Sequence, residues 1–487
     1  MAKLKNIIKQ LSEKDYKLIY ESLMESNAEK SAYVLKALRE RQLSDSKILV
    51  ELDVNPNAYY TLRSRLNQKI EEHLVQQMES PRTDLLRKVA NLNEVLFTQR
   101  KTISIATLKK LERELIDYDL AHELTIIYKT LKKMHLHTAE HFQYSQAYNR
   151  HVAYMLAIDK AEDLLAEYFK RYGSYYLTGD HTQRMSLNLL LKEMHNVSNL
   201  YNSHRLYVYL SCMNIFHRLF VEKEESLEPD AESFEDIFDK VEKIFKTFNL
   251  DPLYYHLNLV FEYLRMEYYN HYRVYRESEK YYEEVNDASS NLLVNYTHFT
   301  FPSQFLVSKL QRALRRASEH ELLAEDESLF AEFEPDIQDV PRHVIYVVYR
   351  SLTYFYAGKI NQSAKLLQDL LSTVGLKQFP FAQLEVKGLL AFQYCLINEF
   401  DLFQQLNGSI QRQARQFEKD ECENVILLMK MLRLALSESG ADKEKKLMTI
   451  VNRLKTTTVN YFSPTGMIRM DDDLVKRLIK LKSEGES

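Results

Sequence analysis

Four histidines crowd the stretch KMHLHTAEHFQYSQAYNRH: His135, His137, His141 and His151. His137 and His141 stand four residues apart, a spacing that on a helix brings two imidazoles to one face, as zinc sites require. The glutamate of an HExxH motif is missing, because Thr138 follows His137 and Glu140 directly precedes His141. Other chemistries close in the same way. Gly358-Lys359 is not a phosphate-binding loop, since Thr353 stands where that loop needs glycine and Ile360 where it needs Ser or Thr. No GxSxG elbow, kinase signature or glycine-rich dinucleotide turn occurs. Cys212, Cys395 and Cys422 are far apart and odd in number, so they form neither a disulfide framework nor a zinc knuckle, and they fit a reducing cytoplasm. No catalytic, cofactor-binding or metal-ligating set emerges, and the chain reads as a non-enzyme.

Binding chemistry is more visible. The chain has 33 Tyr and no Trp, and the segment PLYYHLNLVFEYLRMEYYNHYRVY concentrates Tyr254, Tyr255, Tyr268, Tyr269, Tyr272 and Tyr275. Tyrosine joins a rigid apolar ring to a polar tip, which suits the seams between helices and equally a groove that docks a peptide. These six are the candidate partner-binding residues. Stacking of single-stranded nucleic acid on them is disfavoured, because only Arg265, Arg273 and Arg276 lie among them.

A second binding signal lies near the start. The stretch DSKILVELDVNPNAYYTLRSRL, from Asp45 to Leu66, resembles a helix-turn-helix of the sigma-factor or winged type, with Ile48, Leu52, Val54, Tyr59 and Leu62 on its buried positions. The resemblance implies a recognition helix exposing Asn57, Tyr60, Thr61, Arg63, Ser64 and Arg65 to phosphates or base edges. Leu49 and Asp53 depart from the small residue and the glycine that the motif favours. Residues 1–80 hold 13 basic and 12 acidic side chains, a net of +1, which offers few phosphate neutralisations.

The elements that position these residues are helices. Gly and Pro number only 9 each in 487 residues, too few for a strand-and-turn fold, while 45% hydrophobic and 28% charged residues suit amphipathic helices. Apolar residues recur at helical spacing, as in Leu18, Ile19, Leu23 and Val34, Leu35, Leu38. Ser12, Ser44 and Asn55 stand as helix starts. The chain is too long for one compact core and has no run of about 18 apolar residues to cross a bilayer. The opening segment is amphipathic and lacks a signal-peptide core. Two acidic stretches, Glu222 to Glu235 and Glu325 to Asp339, read as solvated linkers, with Leu329, Phe330 and Phe333 of the second able to dock.

The segment from Val344 to Gly375 resembles a tetratricopeptide unit, with an aromatic first helix, a turn at Gly358, and a second helix carrying Ala364, Leu367 and Leu371. Phe379 to Phe417 repeats the plan about 35 residues later, without a turn glycine. The chain as a whole also resembles uncharacterised bacterial helical-repeat proteins, from which no activity carries over. The resemblance implies an all-α solenoid of stacked antiparallel helix pairs, tetratricopeptide-like, behind an N-terminal helical module. The expected segments are an N-terminal module at 1–80, helical repeats at 81–222, Tyr-rich repeats at 236–320, tetratricopeptide-like repeats at 340–455, and a C-terminal capping helix at 456–487, whose acidic start and basic end suit the helix dipole.

A near-neutral chain, with 65 basic and 69 acidic residues, has no global field to recruit nucleic acid or a membrane surface. The expected function is therefore a scaffold binding a protein or peptide. The rival is a transcription regulator whose first 80 residues touch DNA while a solenoid senses a partner. Fluorescence anisotropy with mixed-sequence duplex DNA separates them: the full chain is expected not to bind even at low salt. Salt-steep binding abolished by Arg63→Ala with Arg65→Ala would favour the regulator.

Overall fold

The computed structural model describes residues 8, 11, 13–26, 28–41, 45–52, 54, 58–59, 62–63, 65–66, 69–70, 81–92, 94, 98, 100–118, 120–201, 203–222, 232–248, 251–418, 421–437, 441–457 and 461–481. Among them every regular element is a helix, and none is long and apolar enough to cross a membrane. The chain divides into two compact units, Met1–Val152 and Ala153–Ser487. That division falls inside the expected 81–222 segment, within one long helix.

The first unit holds α1 (Glu13–Glu25), α2 (Glu29–Arg39), α3 (Asp45–Leu52), α4 (Pro81–Ala90), α5 (Lys101–Asp117), α6 (Ala121–Met134) and the start of α7 (Glu140–Thr178). One core gathers Ile19, Leu23, Val34, Leu35, Leu38, Ile48 and Leu66, and a second gathers Leu85, Leu108, Leu115, Ile127 and Leu131. Leu18 is an exception to the expected apolar face, at 41% exposure, because it projects one residue away from the buried Ile19 stripe. Ser12, Ser44 and Asn55, with the turn residue Asp53, lie outside the described residues.

The second unit continues α7 and adds α8 (His181–Leu200), α9 (His204–Phe220), α10 (Phe234–Thr247), α11 (Pro252–His271), α12 (Tyr275–Asp287), α13 (Ser289–Asn295), α14 (Ser303–Arg316), α15 (Leu322–Glu325), α16 (Glu327–Glu332), α17 (Val340–Tyr356), α18 (Ile360–Thr373), α19 (Pro380–Leu396), α20 (Phe400–Ala414), α21 (Glu423–Ser437), α22 (Ala441–Thr456) and α23 (Asp472–Lys480). Consecutive helices pack side by side, notably α11 with α12, α17 with α18, α19 with α20 and α21 with α22. Three of these turns are built alike. Arg273, Gly358 and Asn398 adopt φ of 59°, 77° and 64°, and the next amide, of Val274, Lys359 or Glu399, donates back to the carbonyl of Tyr269, Tyr354 or Tyr394. Asn398 thus fills the place where the second pair has no glycine; asparagine tolerates the left-handed region better than most residues. The pairs begin at Val340 and Pro380, 40 residues apart rather than about 35, because the first helix of one pair starts upstream of Val344, at the turn that carries Pro341, while that of the other starts just past Phe379, its N-cap.

Aromatic rings fill much of the interior. Tyr172 meets Phe216 and Phe301 edge-on at 4.7 and 5.1 Å. Gly173 beside it leaves room for α17: a Cβ there would sit 2.9 Å from Pro341 and 3.0 Å from Phe301.

The acidic stretch 325–339 is a solvated linker only in its second part, where residues 334–338 are irregular and mostly exposed. Its first part forms α16, and Asp326 is buried against Lys309 of α14 and Tyr349 of α17. Two opposite charges taken out of water together hold because each supplies the other's field. Phe330 and Phe333 dock on Tyr346. Of the other acidic stretch, 223–231 lie outside the described residues, and α10 starts at Phe234. Asp326→Ala leaves the Lys309 ammonium buried without its partner and is expected to cost about 3–5 kcal/mol, read from hydrogen exchange of α14 and α17 amides. A loss within about 1 kcal/mol, the scale of an exposed pair, would contradict the buried bolt.

Candidate functional site

A cavity of ≈ 1110 Å³ in the second unit is walled by the end of α7, α14, the start of α21 and an extended segment between α22 and α23. Tyr172, Tyr175 and Tyr176 come from α7, Gln304, Val307 and Gln311 from α14, Asn424 from α21, and Tyr461, Ser463, Thr465 and Met467 from the extended segment. Gln304, Val307 and Gln311 fall at three and four residue spacing, so one face of α14 presents all three. Gln304 and Asn424 are both more than nine-tenths buried, and each keeps a carbonyl oxygen with no partner. Such acceptors stay costly until a donor reaches them.

The extended segment is the feature that the sequence reading missed. The expected capping helix at 456–487 is helical at its end only from Asp472 to Lys480, with Asp471 capping Leu474. Before it, residues 461–471 are non-helical apart from a 3-10 turn at Pro464–Met467. The signal was present as Ser463-Pro464-Thr465-Gly466, in a chain poor in both Pro and Gly.

Glu385 of α19 holds this segment. Its carboxylate accepts from the Thr465 amide (3.2 Å) and hydroxyl (2.7 Å), from Asn424 and, at 3.4 Å, from Ser463. Burial pushes this carboxyl up to about 7, against the lowering effect of those donors. A second buried carboxyl, Glu267 of α11, receives the Ser308 hydroxyl at 2.9 Å and is pushed up to about 8 by burial. Burial also raises the Tyr172, Tyr175 and Tyr176 hydroxyls, which therefore remain neutral donors.

The six candidate tyrosines do not form one groove. Tyr254 is buried at 1% exposure and bonds His204, because it faces α9. Tyr255, at 77% exposure, opens with it onto a separate ≈ 780 Å³ cavity that Phe245, Glu262, Arg265 and Tyr281 also line. Tyr268, Tyr269, Tyr272 and Tyr275 lie at the other end of α11, about 20 Å away by the helical rise. There Tyr268 contacts Tyr269 and Tyr272, each at 5.1 Å, and Tyr275 sits under Arg315.

Of the candidate DNA-contacting residues, Asn57, Tyr60, Thr61 and Ser64 lie outside the described residues. Arg63 is half-buried over the Tyr59 ring and Arg65 is exposed. The histidine spacing does not give a shared helix face, because His137 sits in the turn before α7 while His141 lies on it. His135 pairs with Thr138, His141 with the Lys132 carbonyl and His151 with the Ala147 carbonyl. Among the described residues no three His, Cys, Asp or Glu side chains gather as a metal site. The three thiols are buried, and burial pushes them up, Cys395 to about 12, away from reactivity.

Compared with known proteins, the chain matches no family model, no curated protein and no solved structure.

The two carboxyls have a measurable consequence. Their neutral forms favour the fold fully below their ordinary value of 4.5, and that contribution is lost as pH rises through about 7 and 8. His204 and His217, depressed by burial to about 4, act oppositely, but only below their ordinary 6.5. Between neutrality and pH 8 the stability of the second unit is therefore expected to fall with pH. Denaturation at several pH values should show that slope, of at most about 1.4 kcal/mol per unit for each proton, reduced in Glu267→Gln. An unchanged slope in the variant would contradict the assignment.

Proposed function

We propose that this chain is a non-enzymatic interaction scaffold of tetratricopeptide-like helix pairs that binds a peptide or protein segment. The observation that carries the proposal is the cavity walled by Tyr172, Tyr175 and Tyr176 together with Gln304 and Asn424, two residues whose buried carbonyl oxygens have no partner. A peptide backbone supplies N–H donors at regular intervals and meets such a need, while the tyrosine rings at its side give apolar area with little ordering cost. The three alike turns, at Arg273, Gly358 and Asn398, support the stacked-pair reading, since a repeated unit repeats its turn. The thiols, all free, accord with a reducing compartment such as the cytoplasm.

Selection of displayed random peptides against the intact chain tests the proposal. Enriched peptides are expected to protect the cavity wall at α14 in hydrogen exchange, and to weaken about tenfold with Gln304→Leu. Enrichment no greater than on a denatured control, or protection confined elsewhere, would sink it.

A further inference from the structure

Residues 461–469 are held as a bound peptide is held. The Phe462 amide donates at 3.0 Å to the carbonyl of Tyr176, one of the carbonyls in the last turn of α7 that no helical amide reaches. Phe462, Pro464 and Met467 face Val307 and Leu310 of α14 and Ile345 and Leu352 of α17 across a small apolar void that all of them line. Ser463 and Thr465 alternate with them and turn to Glu385 and Asn424, so apolar and hydroxyl residues read opposite walls. Beyond the turn, the Tyr356 hydroxyl donates to the Met467 carbonyl at 2.6 Å and accepts from the Arg469 amide at 2.9 Å. Arg469 closes the series on the buried carboxylate of Glu319.

Each grip falls on backbone, on a hydroxyl or on one apolar side chain, and none depends on a helix ladder. The ≈ 1110 Å³ cavity runs beside the same residues, with Tyr461, Ser463, Thr465 and Met467 forming part of its wall. An entering segment therefore meets the resident one directly.

We infer that the surface made by the end of α7, α17, α19 and α21 is a recognition groove that the chain fills with its own residues 461–469, and that the outside partner is an extended segment of the same chemistry: an aromatic residue, then hydroxyl residues two apart around a proline, then a basic residue. This rests on the segment-binding reading above and specifies its partner. The tethered copy competes at an effective concentration on the order of millimolar, so the native chain keeps the groove closed to weak ligands. Partners bind only by matching the resident contacts closely.

The test uses a fluorescein-labelled synthetic peptide of residues 461–470 and the full chain. The native protein is expected to bind it weakly, and the double variant Ser463→Ala with Thr465→Val about tenfold or more tightly, because the tethered copy has lost its donors to Glu385. A peptide carrying the same two replacements should not gain. A double variant that melts like the native chain yet binds the peptide no better would overturn the inference. Should the double variant not fold, hydrogen exchange of the native chain decides: the Phe462, Thr465 and Arg469 amides are expected to exchange through local opening, faster than those of α19. Exchange of these amides only with global unfolding would equally overturn the inference. Random peptides that bind the native chain without competition from the 461–470 peptide would overturn it too, while leaving the broader scaffold reading intact.

Discussion

Burying a carboxyl without a cation costs several kcal/mol unless donors surround it, and at Glu385 the donors come from two directions. Asn424 arrives from α21, while Ser463 and Thr465 arrive from the extended segment. Three pieces of chain are fixed by one carboxyl: α19, which carries it, α21, which packs against α19, and the segment that returns after α22. The cavity wall follows from this arrangement, since Asn424 and Thr465 belong both to the carboxyl's shell and to the cavity lining. The cavity lining and a packing constraint here share side chains.

Around that centre the second unit solves burial with rings and hydroxyls. Tyr168 and Tyr263 are fully buried, yet each hydroxyl finds a partner, His217 at 3.0 Å and the Phe301 carbonyl at 3.4 Å. Ser351, Ser363 and Gln393 form a buried chain of hydrogen bonds that joins α17, α18 and α19 where small side chains let them approach. Among the cavity-lining residues described, Gln304 and Asn424 are polar exceptions to this satisfaction.

The first unit carries different physics. Its two cores are aliphatic, built on Val34, Leu35, Leu38 and on Leu111, Leu115, Ile127. Within it, residues 1–80 carry a net charge of only +1, and Arg63 lies against the Tyr59 ring.

Helical class was legible from the residues because it is local: apolar positions three and four apart, scarce Gly and Pro, and proline at the first turns of α17 and α19 act within a few residues of one another. The long aromatic helix α11 and its partner beginning at Tyr275 were legible for the same reason. Function-bearing geometry was not. Glu385 reads in sequence as one polar residue on an apolar helix, and the thing that gives it meaning, Thr465, lies 80 residues away. Tyr356 and Met467 are 111 apart, and Lys309 meets Asp326 across what looked like a solvated linker. Periodicity fixes which face of a helix is buried, but not against what. Only the tertiary structure decided that a carboxylate would lie among donors, that tyrosines on one helix would separate to its two ends, and that a Ser-Pro-Thr-Gly stretch would enter the helices rather than cap them. Those outcomes depend on desolvation and on partners brought together by packing, which no local pattern of residues encodes.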